Sequence, residues 1–183
     1  VSASDKFSIS RTCMLFLTLY MGEYERAARI SRQLQRLHNE VLAGFAFQSM
    51  TFMAGLSEVV YARQSSKKSP KAGKPALMKL RHWAKFCPAN VLSRVYLIEA
   101  ERDALEDNRE RALRKFQASI DQAGEQGFVQ EQALACELAA ATLVGWERKR
   151  EAREFYRQAR LLYERWGSPV KVEQMNKYLE KAR

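Results

Sequence analysis

Apolar residues recur at three- and four-residue spacing along almost the whole of this 183-residue chain, and only 8 glycines and 4 prolines are present to interrupt them. That period lays one apolar stripe along each stretch of helix. A β-sandwich or barrel needs a turn signal roughly every ten residues, and this chain has too few. Leu, Ala, Glu, Arg, Lys and Gln dominate, all good helix formers. The expected fold class is all-α.

Helices are expected over about 4–19, 24–37, 40–64, 76–86, 89–106, 109–125, 128–145, 148–166 and 170–182. Ser4 or Asp5 would cap the first and Asn39 the third. MGEY at 21–24, Gly127 and WGSP at 166–169 break the pattern, and Pro88 stops the fourth helix. SSKKSPKAGKP at 65–75 is polar, basic and proline-containing, and is read as a loop. The chain is then one domain, 1–183, of four hairpins (about 4–37, 40–86, 89–125 and 128–166) closed by a capping helix at 170–182. A start at Val1 suggests a fragment of a larger protein.

The hairpins repeat. An offset of 40 lays Ala112 on Ala152, Ile98 on Leu138, Ala100 on Ala140 and Ala104 on Val144. It also lays Phe116 on Tyr156, Ser119 on Ala159 and Ala123 on Tyr163. Small residues recur where helices must approach closely, and large ones where a gap needs filling. Ala76, Leu80 and Trp83 take the places of Ala112, Phe116 and Ser119, and Gly22-x-Tyr24-x-x-Ala27 supplies a turn glycine, an aromatic and a small residue. This pattern resembles the tetratricopeptide repeat, with a spacing longer than that family's 34 or so. The resemblance implies a right-handed α-solenoid of about four hairpins plus the C-terminal cap.

The second half is similar to a narrower group, the helical-repeat region of large multidomain sensor proteins. Those carry kinase-like, AAA-type ATPase, GAF and histidine kinase domains. CPAN at 87–90, AE at 100–101, GF at 127–128, ELAA at 137–140 and YERWG-x-x-x-KV at 163–172 carry the likeness. Ser168 stands where that group commonly has alanine. The resemblance implies a non-catalytic scaffold that couples or restrains neighbouring NTPase or kinase domains, and it transfers no catalytic residue. On tetratricopeptide geometry a protein or peptide partner, other domains of the parent chain included, would meet Arg94, Leu97, Glu101, Leu134, Glu137 and Ala141.

No phosphate loop, dinucleotide fingerprint, HExxH or paired-histidine spacing occurs, so no enzyme activity, cofactor or metal is expected. Cys13, Cys87 and Cys136 form neither a CxxC nor a disulfide pattern and are read as small hydrophobes. Without a signal peptide, they point to a reducing, cytoplasmic setting. Glu99, Glu101, Asp103, Glu106 and Asp107 are read as a solvated acidic face. The uncharged run at 41–57 is near the lower limit for a membrane span, but its polar residues favour an inner helix flanked on both sides.

Charge offers one alternative. Residues 1–86 hold 14 basic and 5 acidic side chains, and eight of the basic ones lie from Arg63 to Lys85 with no acid among them. Lys67, Lys68, Lys71 and Lys74 could there hold phosphates of a nucleic acid or an anionic membrane surface. A second alternative is a small-ligand sensor with a groove of Phe45, Phe47, Phe52 and Trp83.

Overall fold

A computed structural model describes residues 3–37, 45–65, 69 and 71–181. These residues form helices, with no strand among them. In order they are α1 (Ala3–Tyr20), α2 (Tyr24–Leu37), α3 (Phe45–Gln64), α4 (Lys74–Ala84), α5 (Pro88–Leu105), α6 (Arg109–Glu125), α7 (Val129–Gly145), α8 (Lys149–Trp166) and α9 (Pro169–Lys181). The all-α expectation holds, with most boundaries within two residues. Ser4 and Asp5 fall inside α1, and Asn39 lies outside the described residues.

Each helix packs on the next, and α1, α3, α5 and α7 also pack on one another in that order. Consecutive helices run antiparallel. The Ser119 hydroxyl of α6 donates to the Ser93 carbonyl of α5 at 2.9 Å, and Arg160 of α8 donates to Asn176 of α9 at 3.1 Å. Every second helix is therefore parallel to the one two before it.

Burial follows the sequence pattern. Helices α6 and α8 bury one stripe each: Ala112, Phe116, Ser119, Ile120 and Ala123, then Ala152, Tyr156, Ala159 and Tyr163. Their other faces are charged, as a helix covered on one side requires. Helices α3, α5 and α7 are covered on more than one side and bury residues nearly all round. Of the residues paired by the offset of 40, all are buried except Val144, which lies at the end of α7. In α3, Gly55 is a contact point, because a Cβ there would run into the Cβ of Ala76 on α4.

The turns carry a second, unforeseen repeat. Asp107, Gly127, Glu147 and Gly167 all have positive φ, at 59°, 72°, 61° and 81°. After each, an amide reaches back five residues: Asn108 N–H to Asp103 O, Phe128 to Ala123, Arg148 to Leu143 and Ser168 to Tyr163, at 2.7–3.0 Å. This is the Schellman closure, in which one left-handed residue satisfies the last helical carbonyls. Two of the four positions are glycine. At the other two a side chain bears the left-handed strain, on the order of 1 kcal/mol.

Glu147→Gly should therefore stabilise the fold by about 1 kcal/mol, or about 2–4 °C in Tm for a chain of this size. Gly127→Ala, where an added Cβ meets nothing within 4 Å, should cost a similar amount through φ alone. Thermal unfolding followed by circular dichroism reads both signs.

Candidate functional site

The parallel row α3, α5, α7 and α9 is linked by buried ion pairs, one at each junction. Arg63 at the end of α3 grips Glu101 of α5 with two nitrogens, at 2.6 and 3.2 Å. Arg94 at the start of α5 grips Glu131 of α7 at 2.7 and 3.0 Å, and its guanidinium lies 5.5 Å from the Phe52 ring of α3. Glu137 of α7 accepts from the Lys171 ammonium of α9 at 2.8 Å and from the Tyr163 hydroxyl at 2.6 Å.

At Lys171 the chain closes on itself. Besides Glu137, its ammonium donates to the Tyr20 carbonyl at 2.8 Å, a contact across 151 residues, and to Gln174 at 2.7 Å. The same nitrogen sits 4.9 Å from the Tyr163 ring. The Tyr20 ring lies 5.5 Å from Trp166, so the end of α1 is clasped by the α8–α9 turn. Tyr24, two residues past the turn at Gly22, is buried in the same region and feels the charges of Glu137, Glu101 and Arg63.

Burial decides the electrostatics here. It pulls the Lys171 ammonium below the usual lysine range, against the opposing pull of Glu137. It pushes the Tyr163 and Tyr24 hydroxyls well up, and Glu137 adds to both shifts. These tyrosines remain protonated, so Tyr163 is available as a donor to Glu137.

Five of the six positions expected to face a partner are interior: Arg94, Leu97, Glu101, Leu134 and Glu137 are at most 4% exposed, and Ala141 is half-buried. The expectation of an open surface there is corrected. The reason is that neighbouring helices enclose these positions, with Tyr20 and Tyr24 of the N-terminal hairpin buried beside the charges, and each charge has a neighbour within the chain. Arg94, Glu101 and Glu137 do come together, with partners that sequence reasoning missed: Arg63, Glu131 and Lys171. A signal existed in opposite charges about one repeat apart, 63 with 101 and 94 with 131, on largely apolar helices.

Other expectations change as well. Lys67 and Lys68 lie outside the described residues. Lys71 is exposed in a turn, but Lys74 is the first residue of α4 rather than a loop residue. Gly73 in the left-handed region and Pro75 in the first turn start that helix earlier. The acids of α5 are not a solvated face: Glu101 and Asp103 are buried, and Glu99 pairs with Arg81 at 2.8 Å. Of the cysteines only Cys136 is buried, its thiol pushed up to about 12 by burial; Cys13 is exposed and Cys87 half-buried.

Phe47 and Trp83 pack edge to face at 5.6 Å, Phe52 is buried, and the Phe45 side chain lies outside the described set. Clefts of about 300–460 Å³ lie elsewhere, between α4 and α5–α6 and along α2–α3. Among the described residues no three His, Cys, Asp or Glu side chains converge to hold a metal. No helix among them is long and apolar enough to cross a membrane. Compared with protein-family models, curated proteins and solved structures, the chain finds no match in any of the three.

Lys171→Met should leave the Glu137 carboxylate buried without its cation and cost about 3–5 kcal/mol. Lys171→Met with Glu137→Gln should recover much of that loss, since the glutamine can still accept from Tyr163. Urea unfolding of the two single variants and the double variant measures the coupling.

Proposed function

We propose that the chain is a tetratricopeptide-like, right-handed α-solenoid that serves as a non-catalytic protein-interaction module of an intracellular multidomain signalling protein, coupling or restraining neighbouring NTPase or kinase domains. One observation carries this reading. The inner row of helices already receives a segment of chain, the α1–α2 turn, through a main-chain carbonyl on Lys171 and aromatic contacts at Tyr20 and Tyr24. Seated apolar and aromatic anchors are how grooves between helices hold incoming segments, and the carbonyl on Lys171 adds a polar one. The recurring caps and the small buried residues at the offset of 40 support the repeat architecture.

In this reading the α1–α2 turn is the resident occupant and a partner segment is its competitor. Exchange would release the end of α1 from α8–α9 and change the separation of whatever is joined to the two ends of the module. A partner shifts that equilibrium only by as much as it binds the opened row better than the closed one.

A fluorescein-labelled peptide of residues 11–34 tests the receptor role. Tyr20→Ala/Tyr24→Ala weakens the resident turn and should bind the peptide at least about tenfold more tightly than the unaltered chain, by fluorescence anisotropy. Lys171→Gln removes the ammonium that would hold the Tyr20 carbonyl of the resident turn and of the peptide alike, and should not show this gain. If the tyrosine variant keeps its helical circular dichroism yet ignores the peptide, the row is not a receptor for chain segments.

A further inference from the structure

We propose that the outward face of α4, together with the turns at its two ends, docks this protein onto the surface of an anionic phospholipid bilayer. The inference is independent of the inner row and would stand if that reading failed.

Helix α4 buries Ala76, Leu77 and Leu80 and leaves the opposite face in water. At helical spacing that face carries Met78 and His82, followed by Phe86 in the turn beyond the helix end. Met78 is 63% and Phe86 77% exposed, although both are bulky and apolar. Phe86 rests only its edge on His82, at 5.4 Å between ring centres. Met78 on the helix and Phe86 just beyond it, eight residues apart, project two apolar groups that no described residue covers.

Lysines surround them. Lys71, Lys74, Lys79 and Lys85 are all exposed, and no described carboxylate lies within ion-pair distance of any of them. The local sequence explains this, since no acidic residue occurs between Glu58 and Glu99. Acids do line the cleft beside α4, but each is engaged from the α5–α6 side or by Arg81. Glu99 takes Arg81 and Lys115, Asp103 takes Arg111, and Glu106 takes Arg102. Lys79 lies 5.4 Å from the centre of the Phe47 ring, a contact that leaves its charge in place, so the four lysines present positive charge without a paired carboxylate around two apolar tips.

This combination matches a bilayer boundary, where lysines meet lipid phosphates while apolar side chains enter the acyl edge. It fits nucleic acid less well. A methionine offers no stacking platform, and Phe86 could serve one base only. The apolar area is small, so charge and insertion must act together, and adhesion should be reversible and salt-sensitive.

Co-sedimentation of the full chain with vesicles tests this. Equimolar phosphatidylserine and phosphatidylcholine should retain the protein at low salt, and phosphatidylcholine alone should not. Lys71→Ser/Lys74→Ser/Lys79→Ser/Lys85→Ser should weaken retention by about fivefold per lysine, on the order of several hundredfold together. Met78→Ser/Phe86→Ser, which touches no charge, should weaken it by about tenfold. These positions are exposed, so unchanged helical circular dichroism controls for folding. The proposal is overturned if serine-lipid vesicles fail to retain the protein, or if removing the apolar pair leaves retention unchanged. It is also overturned if labelled single- or double-stranded nucleic acid binds more tightly than the vesicles at the same salt.

Discussion

An ammonium group taken out of water must find acceptors on every side or give up its proton. Lys171 finds a carboxylate, a side-chain amide and a main-chain carbonyl, and the carbonyl belongs to α1. No other described contact brings such distant parts of the chain together through a charge. It fixes where the end of α1 sits relative to α8–α9, and that in turn buries Tyr20 and Tyr24 over the row. Without the carbonyl of Tyr20, Lys171 would lose one of its three acceptors; without Lys171, Glu137 would be a buried charge held only by a tyrosine hydroxyl. The closure is a joint solution to two desolvation problems.

The other ion pairs work on the same principle. Buried pairs add little net stability compared with well-packed apolar residues, because desolvation offsets most of the attraction. Their effect is on register. Arg63 has Glu101, Arg94 has Glu131 and Lys171 has Glu137, one link at each junction of parallel helices. Sliding α5 past α3 by a turn would strand an arginine and a glutamate at once, whereas alanines and leucines on the same faces would tolerate the shift. Apolar packing brings these helices together, and the charges select the alignment.

Much of this was legible in the sequence, and the reason is local. Stripes such as Ala152, Tyr156, Ala159 and Tyr163 declare themselves by spacing, and helix ends at Gly127 and Gly167 by composition. The ends near 106 and 145 are legible from the apolar pattern, but the left-handed closures at Asp107 and Glu147 are not, because there a non-glycine residue takes that conformation and only the tertiary hairpin enforces it. The site was less legible for a related reason. Tetratricopeptide geometry puts the positions of Arg94, Glu101 and Glu137 on the concave side, which reads as a partner-facing surface. Whether such a residue faces a partner or another part of its own chain depends on what lies over it, and here that includes the α1–α2 turn, 70 or more residues away in sequence. Lys74 was misplaced for a smaller reason, since glycine before proline reads as loop although it can also begin a helix.

The two charged regions of this protein end up with opposite roles from one physical cause. On the inner row cations and carboxylates alternate between neighbouring helices, so every charge is answered within the chain and the row can be buried. Around α4 the acids are absent from the sequence between Glu58 and Glu99, and those of the neighbouring cleft are taken by arginines and Lys115, so Lys71, Lys74, Lys79 and Lys85 have no paired carboxylate among the described residues and stay exposed. Arg81, on the edge of that same helix, shows the contrast: it reaches Glu99 of α5 and is neutralised. A free lysine is fully compatible with a stable fold, because a surface ion pair contributes little. Met78 and Phe86 are the harder fact, because exposed apolar bulk gives the folded chain nothing. Their place among unanswered cations is what makes the outer face of α4 a surface for something both negative and apolar.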